Sequence, residues 1–309
     1  MEGTSTASGK QLPYSRLRAT VTDGRAANVF FRKNQLRRLN DEVLGAKADL
    51  LKAITKDSGN TATEAWVEFY LTLSALKFYF DDLDPAQELQ DEYRIAHGRD
   101  AADAREAVGI VYIQPDAHSY LYSVVVPIGA AIAAGNCVLV VIEQTLKVLP
   151  AVLQKLLQRS LDPDTIEIAQ SQVEDTAFLS TCVQVIQTGT PRISNLTTLH
   201  SPRDAPVIGV VDGTADVEKA ARDLVTARFS FGGRSPYAPD VVLVNEHVKT
   251  SFLNAAMHHS IRYLTEENGS LSGPMRKTSN KTSAANTQVD GIQVITSGSN
   301  GDILFVKDR

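Results

Sequence analysis

Four short apolar runs limit most strongly what this chain can fold into: GIVYIQP (109–115), NCVLVVI (136–142), TIEIAQ (165–170) and VQVIQTG (183–189). Each has strand length and reads as a buried strand. Helix-like segments at about 120–134 and 145–160 separate the first three. Strand–helix–strand at this spacing predicts right-handed βαβ units and a parallel sheet. Ligands of such sheets bind beyond the carboxyl ends of the strands. A polar stretch, TPRISNLTTLHSPRD, follows, and the alternation then resumes. PVIGVVDG (206–213) reads as a strand, ADVEKAARDLVTARF as an amphipathic helix, VVLVN as a strand and EHVKTSFLNAAMHHSIRYL as a helix. The expected fold class is α/β, with a second α/β unit starting near residue 200.

Ahead of the strands the chain is helical. Apolar residues recur at helical spacing from about Leu17 to Lys56. A second helix runs from about 61 to 83, where Thr61 followed by Glu64 forms a capping box. Asp84-Pro85 ends it, and the charged residues 86–107 read as a solvated helix or loop. Residues 1–14 are expected to be a flexible lead and 265–288 a mobile loop. The chain closes on two short strands.

Composition narrows the function classes. Hydrophobic residues make up 43% and charged residues 22%, a soluble globular balance. The net charge of −5, without a basic block, gives no reason to expect nucleic acid. The polar N-terminus has no apolar signal core. The stretch near 124–142 is apolar, but Pro127, two glycines and Asn136 interrupt it, so a helix followed by a strand is expected rather than a membrane span. Two cysteines, Cys137 and Cys182, exclude a disulfide framework or a zinc cage, and packing roles are expected for both. The cytoplasm is the expected compartment.

One loop stands out, Phe229–Asp240, FSFGGRSPYAPD, between a helix and an apolar strand. Gly232 and Gly233 open backbone conformations that other residues avoid, while Pro236 and Pro239 fix φ and remove donors. A shaped loop between packed elements is a common place for a site.

Several stretches, in order, resemble one family: PIGAAIAAGNCVLVV, SLDPDTIEIAQ, VIQTGTPR, DGTADVEKAARDLVTARF, APDVVLVNEHVKTSFL and GDILFVKDR. They are similar to the aldehyde dehydrogenase superfamily, and the opening helices look like its class-3-like branch. The resemblance implies a Rossmann-like parallel-sheet domain over 15–199 and a second α/β domain over 200–309, truncated where the family's sequence continues beyond VKDR. It also implies family chemistry: a cysteine nucleophile, an asparagine amide at the oxyanion, a glutamate base, and NAD or NADP as hydride acceptor.

Position by position, that chemistry is not carried over. Where the family has glutamine, threonine and the nucleophilic cysteine, this chain has Arg234, Ser235 and Pro236. The oxyanion position holds Ala117, after Pro115-Asp116. The ribose-binding lysine corresponds to Val141. Gly189 remains of the cofactor turn, but Ser194 replaces its second glycine. The ten residues between Gly189 and His200 leave no room for the family's full helix, whose N-terminus lies near the pyrophosphate. The glutamate base has only His200 as its nearest match.

The resemblance therefore implies a pseudoenzyme with a binding or scaffolding role and no bound cofactor. The alternative is a non-redox enzyme, such as an isomerase, cyclase or condensing enzyme, that acts on a small metabolite. Its former tunnel would be lined by Asp116, His118, Arg234, Ser235 and Tyr237. Arg234 and Tyr237 would suit a carboxylate or phosphate; otherwise Arg234 is expected in a local ion pair. Tyr120 and Tyr122 are expected as core or groove aromatics, and His258 and His259 as solvent-facing helix residues. Expected partners are a second copy or a relative, docked through exposed sheet edges. No metal, nucleic acid or membrane is expected.

Overall fold

In the computed structural model, which describes residues 14–101, 106–189, 191, 196–201, 206–265, 292–298 and 301–306, the apolar runs form the sheet of the first of two units. That unit holds 1–57 and 65–203; the second holds 58–64 and 204–309.

The first unit begins with helices α1 (Ser15–Asp23), α2 (Val29–Gly45), α3 (Lys47–Ser58), α4 (Ala62–Asp82) and α5 (Pro85–Ala96). The helical pattern of 17–56 is thus three helices. Gly24, at φ 72°, turns the chain between α1 and a 3-10 turn, and Asn28 then caps α2 by accepting from the N–H groups of Phe30 and Phe31. Asp84 caps α5 in the same way, with Pro85 at its first position.

The sheet strands are β1 (Ile110–Gln114), β2 (Cys137–Val141), β3 (Ile166–Ala169), β4 (Val183–Ile186) and β5 (Thr198–His200), with α6 (Tyr120–Ala133), α7 (Val148–Ser160) and α8 (Thr176–Leu179) between them. All pairings are parallel, in the order β3-β2-β1-β4-β5. The short β5 falls in a stretch that sequence reading treats as irregular. Three residues of mixed polarity give no periodic signal, and only pairing to β4 makes them a strand.

Side chains alternate across the sheet. Val111, Ile113, Val138 and Val140 pack on one face with Leu36, Leu39, Phe69, Leu76, Val124, Ile128, Leu153 and Leu157. Ile110, Tyr112, Cys137, Leu139 and Val141 pack on the other with Leu17, Phe178 and Cys182. Cover on both faces is why β2 is apolar at every position and β1 at every position before its last, Gln114. The apolar stretch 124–142 is α6 plus β2, and among the described residues no helix is long and apolar enough to cross a membrane. Asn136 lies buried between them. Its Oδ1 accepts from the N–H groups of Val108 and Gly109 at 2.7 and 3.0 Å, and its Nδ2 donates to Ala131 O at 3.3 Å.

The second unit contains β6 (Ile208–Val211), α9 (Val217–Phe229), β7 (Val241–Val244), α10 (Lys249–Thr265) and the antiparallel hairpin β8 (Ile292–Gly298) and β9 (Gly301–Val306). Strands β6 and β7 pair in parallel. Val211, Ala221, Val225, Phe252, Ala255 and Ala256 form its core. On the opposite face of β6 and β7, Ile208, Val210, Val241 and Leu243 are exposed. The loop expected at 265–288 and the lead expected at 1–14 fall almost wholly outside the described residues.

Candidate functional site

The order of the first sheet turns back between β1 and β4, and the crevice beyond such a reversal is where α/β sheets bind ligands. Here hydrogen bonds join the strand ends. Gln114, the last residue of β1, donates from Nε2 to Thr188 O at 2.9 Å and accepts at its own carbonyl from Gln187 N at 3.0 Å. Gln187 Nε2 donates to Ser123 O at 2.7 Å. That carbonyl is the one Pro127, inside α6, cannot bond because it lacks an N–H. Gly189 takes a positive φ of 77°, and its carbonyl pairs with Nε2 of His200 at 2.8 Å. Sequence reading passes over Gln114 and Gln187. The available signal was Pro127, which leaves an orphan carbonyl four residues earlier that must find a donor.

Between β1 and α6 lie Asp116, Ala117 and His118, with Ala117 where the sequence resemblance expects an oxyanion residue. Asp116 is buried, and its carbonyl accepts from Ser123 Oγ at 2.7 Å. Ala117 is exposed and His118 half-buried. Ser119, at φ 48°, begins α6 without a side-chain cap. The cap comes from elsewhere: Glu68 on α4 accepts at Oε1 from Leu121 N at 2.9 Å and Tyr122 N at 3.5 Å. Glu68 is only 3% exposed. Burial pushes its carboxyl up to about 7, against the opposing pull of those two N–H groups. This carboxylate was missed from sequence because its partner lies 53 residues away. Tyr120 is driven up to about 12 by burial and by Glu143. Tyr122 is exposed, not a core aromatic. Val141 ends β2 inside the core and offers no hydrogen-bonding side chain. The described residues of the β4–β5 connection contain no helix; Ser194 lies outside them.

The second unit holds the loop between α9 and β7. Phe231, Gly232 and Gly233 are consecutive left-handed residues, at φ 55°, 65° and 65°. A phenylalanine there costs about 1–2 kcal/mol, and two anchors hold it. Glu64 Oε1 accepts from Phe231 N at 2.5 Å, while Oε2 accepts from Thr61 N at 2.9 Å and Thr61 Oγ1 accepts from Glu64 N at 3.2 Å. The expected capping box is therefore present, and its glutamate also holds the loop. Arg234 is the second anchor. Its Nη2 donates to Ser58 O at 2.5 Å and Asn60 Oδ1 at 3.0 Å, and its Nε to Phe231 O at 3.3 Å. All these acceptors are neutral, so the ion pair expected for Arg234 is replaced by a backbone-and-amide clasp.

Beyond Arg234, Ser235 Oγ accepts from Tyr237 N at 3.2 Å, a turn contact within the loop. Pro236 is half-buried, Tyr237 exposed, and Ala238 and Pro239 buried. Asp240 closes the loop by accepting from Val207 N at 3.0 Å. Of the sequence candidates, Asp116, Ala117, His118 and His200 belong to the first unit and Arg234, Ser235, Pro236 and Tyr237 to the second.

The remaining candidates have local roles. Burial raises the Cys137 and Cys182 thiols to about 11, leaving them protonated at neutral pH. His258 is exposed as expected, but His259 is half-buried against Glu218 Oε1 at 2.8 Å. Among the described residues no three His, Cys, Asp or Glu side chains gather to hold a metal ion.

Comparison with known proteins fits this architecture. A family model described as Aldehyde dehydrogenase family matches residues 19–187. The chain is 26% identical over 244 residues to 4,4'-diaponeurosporen-aldehyde dehydrogenase of Staphylococcus aureus (strain NCTC 8325 / PS 47), covering 74% of this chain and 53% of that one. It is 24% identical over 266 residues to Aldehyde dehydrogenase family 3 member B2 of Mus musculus, covering 80% and 54%. Among solved structures, Staphylococcus aureus AldH in a substrate-bound state superimposes with a TM-score of 0.63 at 20% identity, over 81% of this chain and 58% of that one. The chain thus spans about half the length of the curated relatives it matches.

Proposed function

This chain belongs to the aldehyde dehydrogenase family, and from that premise we propose that it keeps the family's α/β frame without NAD(P)-dependent aldehyde oxidation and acts by binding or scaffolding. One observation carries the reading: Pro236 stands at the nucleophile position, and a pyrrolidine ring has neither thiol nor ionisable group. The loop around it is held by Glu64 and Arg234, so its shape serves the fold.

The residues present do not fit the family's dinucleotide. Val141 cannot bond a ribose hydroxyl, and the described β4–β5 connection offers no helix N-terminus for a pyrophosphate. Gln114, Gln187 and His200 already bond one another's surroundings at the strand ends. The exposed face of β6 and β7 supports a partner, because parallel strands are ordinarily covered on both faces. A cytoplasmic setting belongs to the same proposal.

The alternative, a non-redox enzyme using Asp116, His118, Arg234, Ser235 and Tyr237, draws less support. Arg234 directs Nε and Nη2 at Phe231 O, Ser58 O and Asn60 Oδ1, which ties its guanidinium to the loop itself. The test is to incubate the purified chain with short, aromatic and long-chain aldehydes and either NAD or NADP while following nicotinamide reduction. No turnover is expected; turnover above a boiled control would overturn the proposal.

A further inference from the structure

The first turn of α6 is held from outside its own helix. Ser119, which precedes it, sits in the left-handed region at φ 48° and gives no side-chain cap; that conformation costs a non-glycine residue free energy. Oε1 of Glu68 caps the turn instead, accepting from Leu121 N at 2.9 Å and Tyr122 N at 3.5 Å. Further along, Pro127 has no N–H for Ser123 O, which accepts from Gln187 Nε2 at 2.7 Å. A missing bond of this kind is a common place for a helix to bend. The Ser123 hydroxyl ties the turn to the preceding loop by donating to Asp116 O at 2.7 Å. Residues 119–123 are thus a short hinged segment, with a left-handed residue at one end and an interrupted ladder at the other. They stand at the carboxyl end of β1, beside the reversal in strand order.

We propose that Glu68 and the first turn of α6 form a pH-responsive latch on the β1–α6 loop: the turn is closed over the protonated carboxyl and opens, releasing that proton to water, as the pH rises toward neutrality. Glu68 is 3% exposed when the turn is closed. Once the turn swings away, water reaches the carboxyl and its ordinary proton affinity returns. The titratable groups around it are Glu64 and Tyr79 on its own helix, Tyr120 and Tyr122 on α6, and Asp116 and His118 in the loop. The nearby cations of α2 and α3 are committed elsewhere: Arg32 to Ala133 O, Lys33 over Phe80 and Lys47 over Trp66. The balance at Glu68 is therefore set by burial against the two N–H groups of α6, with burial the larger. Linkage fixes the direction. The carboxyl of the closed turn is raised from 4.5 to about 7, so closure is fully favoured below about pH 4.5 and loses ground until the pH passes about 7. A ligand held by the loop in its closed arrangement is consequently held more tightly at acid pH.

The test is residue-resolved amide hydrogen exchange on the full chain between pH 5 and pH 8, with each rate divided by the intrinsic rate at that pH. The opening constant at Leu121 and Tyr122 should rise roughly 40-fold from pH 5 to 7 and about twofold more by pH 8. Val138, whose N–H donates to Thr165 O at 2.8 Å within the sheet, reports global unfolding and should stay at least about tenfold better protected at every pH. In Glu68→Gln the rise at Leu121 and Tyr122 should vanish, because the amide keeps an acceptor and has no proton to release. Exchange at Leu121 and Tyr122 with the same opening constant as Val138 would overturn the proposal, since the event would then be unfolding of the whole unit. So would an opening constant that does not change with pH, or a rise that persists in Glu68→Gln. The profile of the parent chain decides by itself if that variant does not fold. These outcomes are independent of the aldehyde assay.

Discussion

Replacing Glu68 by glutamine should stabilise this protein at alkaline pH and leave it nearly unchanged at acid pH. Glu68 is buried on α4, and its carboxyl is raised from an ordinary 4.5 to about 7. Its folded-state pKa therefore lies above its unfolded value. The folded protein holds that proton more tightly, and the stability gained is fully present below about pH 4.5. It is lost as pH rises through about 7, where the buried group must ionise. Between pH 5 and pH 8 the loss amounts to about 2–3 kcal/mol at one unit per 1.36 kcal/mol. Glutamine keeps an acceptor for Leu121 N and has no charge to bury. Urea denaturation of both proteins at half-unit steps from pH 5 to 8.5 gives the difference directly, and titrations common to both cancel. The expected curve favours the variant increasingly with pH and levels off above about 8. Parallel curves, or a variant less stable at pH 8, would refute the argument. The first would mean that Glu68 is solvated; the second, that the ionised carboxylate gains more at the α6 N-terminus than burial costs.

Other outcomes follow from single contacts. Asn136→Ala should cost about 2–3 kcal/mol by urea denaturation, because it leaves the Val108 and Gly109 N–H groups without their acceptor. Gly233→Ala should cost about 1–3 kcal/mol: φ is 65°, and the new methyl would meet Arg228 O at 3.1 Å. A loss below about 0.5 kcal/mol for that variant would argue that the loop relaxes freely. Arg234→Ala should lower stability by about 1–2 kcal/mol through its clasp on Ser58 and Asn60, and leave metabolite-induced thermal shifts unchanged. Cys137 and Cys182 should react with a thiol reagent at pH 8 only as fast as the protein opens, since burial holds both near 11.

The class of fold was legible because it depends on local pattern. Short apolar runs alternating with helical periodicity identify β1, α6, β2, α7 and β3 in order, and the Thr61–Glu64 box marks the start of α4 with residues adjacent to what they cap. The proposed departures at Pro236, Ala117 and Val141 rest likewise on residue identity. What escaped was set by distance along the chain. Glu68 caps a helix 53 residues on, Gln187 serves a carbonyl freed by Pro127, and β5 exists only because β4 lies beside it. A side chain in sequence has donors and acceptors but no addresses for them. Arg234 shows the division: its sequence context allowed an anion site or an ion pair, and the folded loop instead gave its guanidinium the neutral oxygens of Ser58 and Asn60. The residue types settled by themselves that the chain makes an α/β frame. Tertiary structure alone decided which buried polar groups would meet, because only the fold brings distant donors within hydrogen-bonding range.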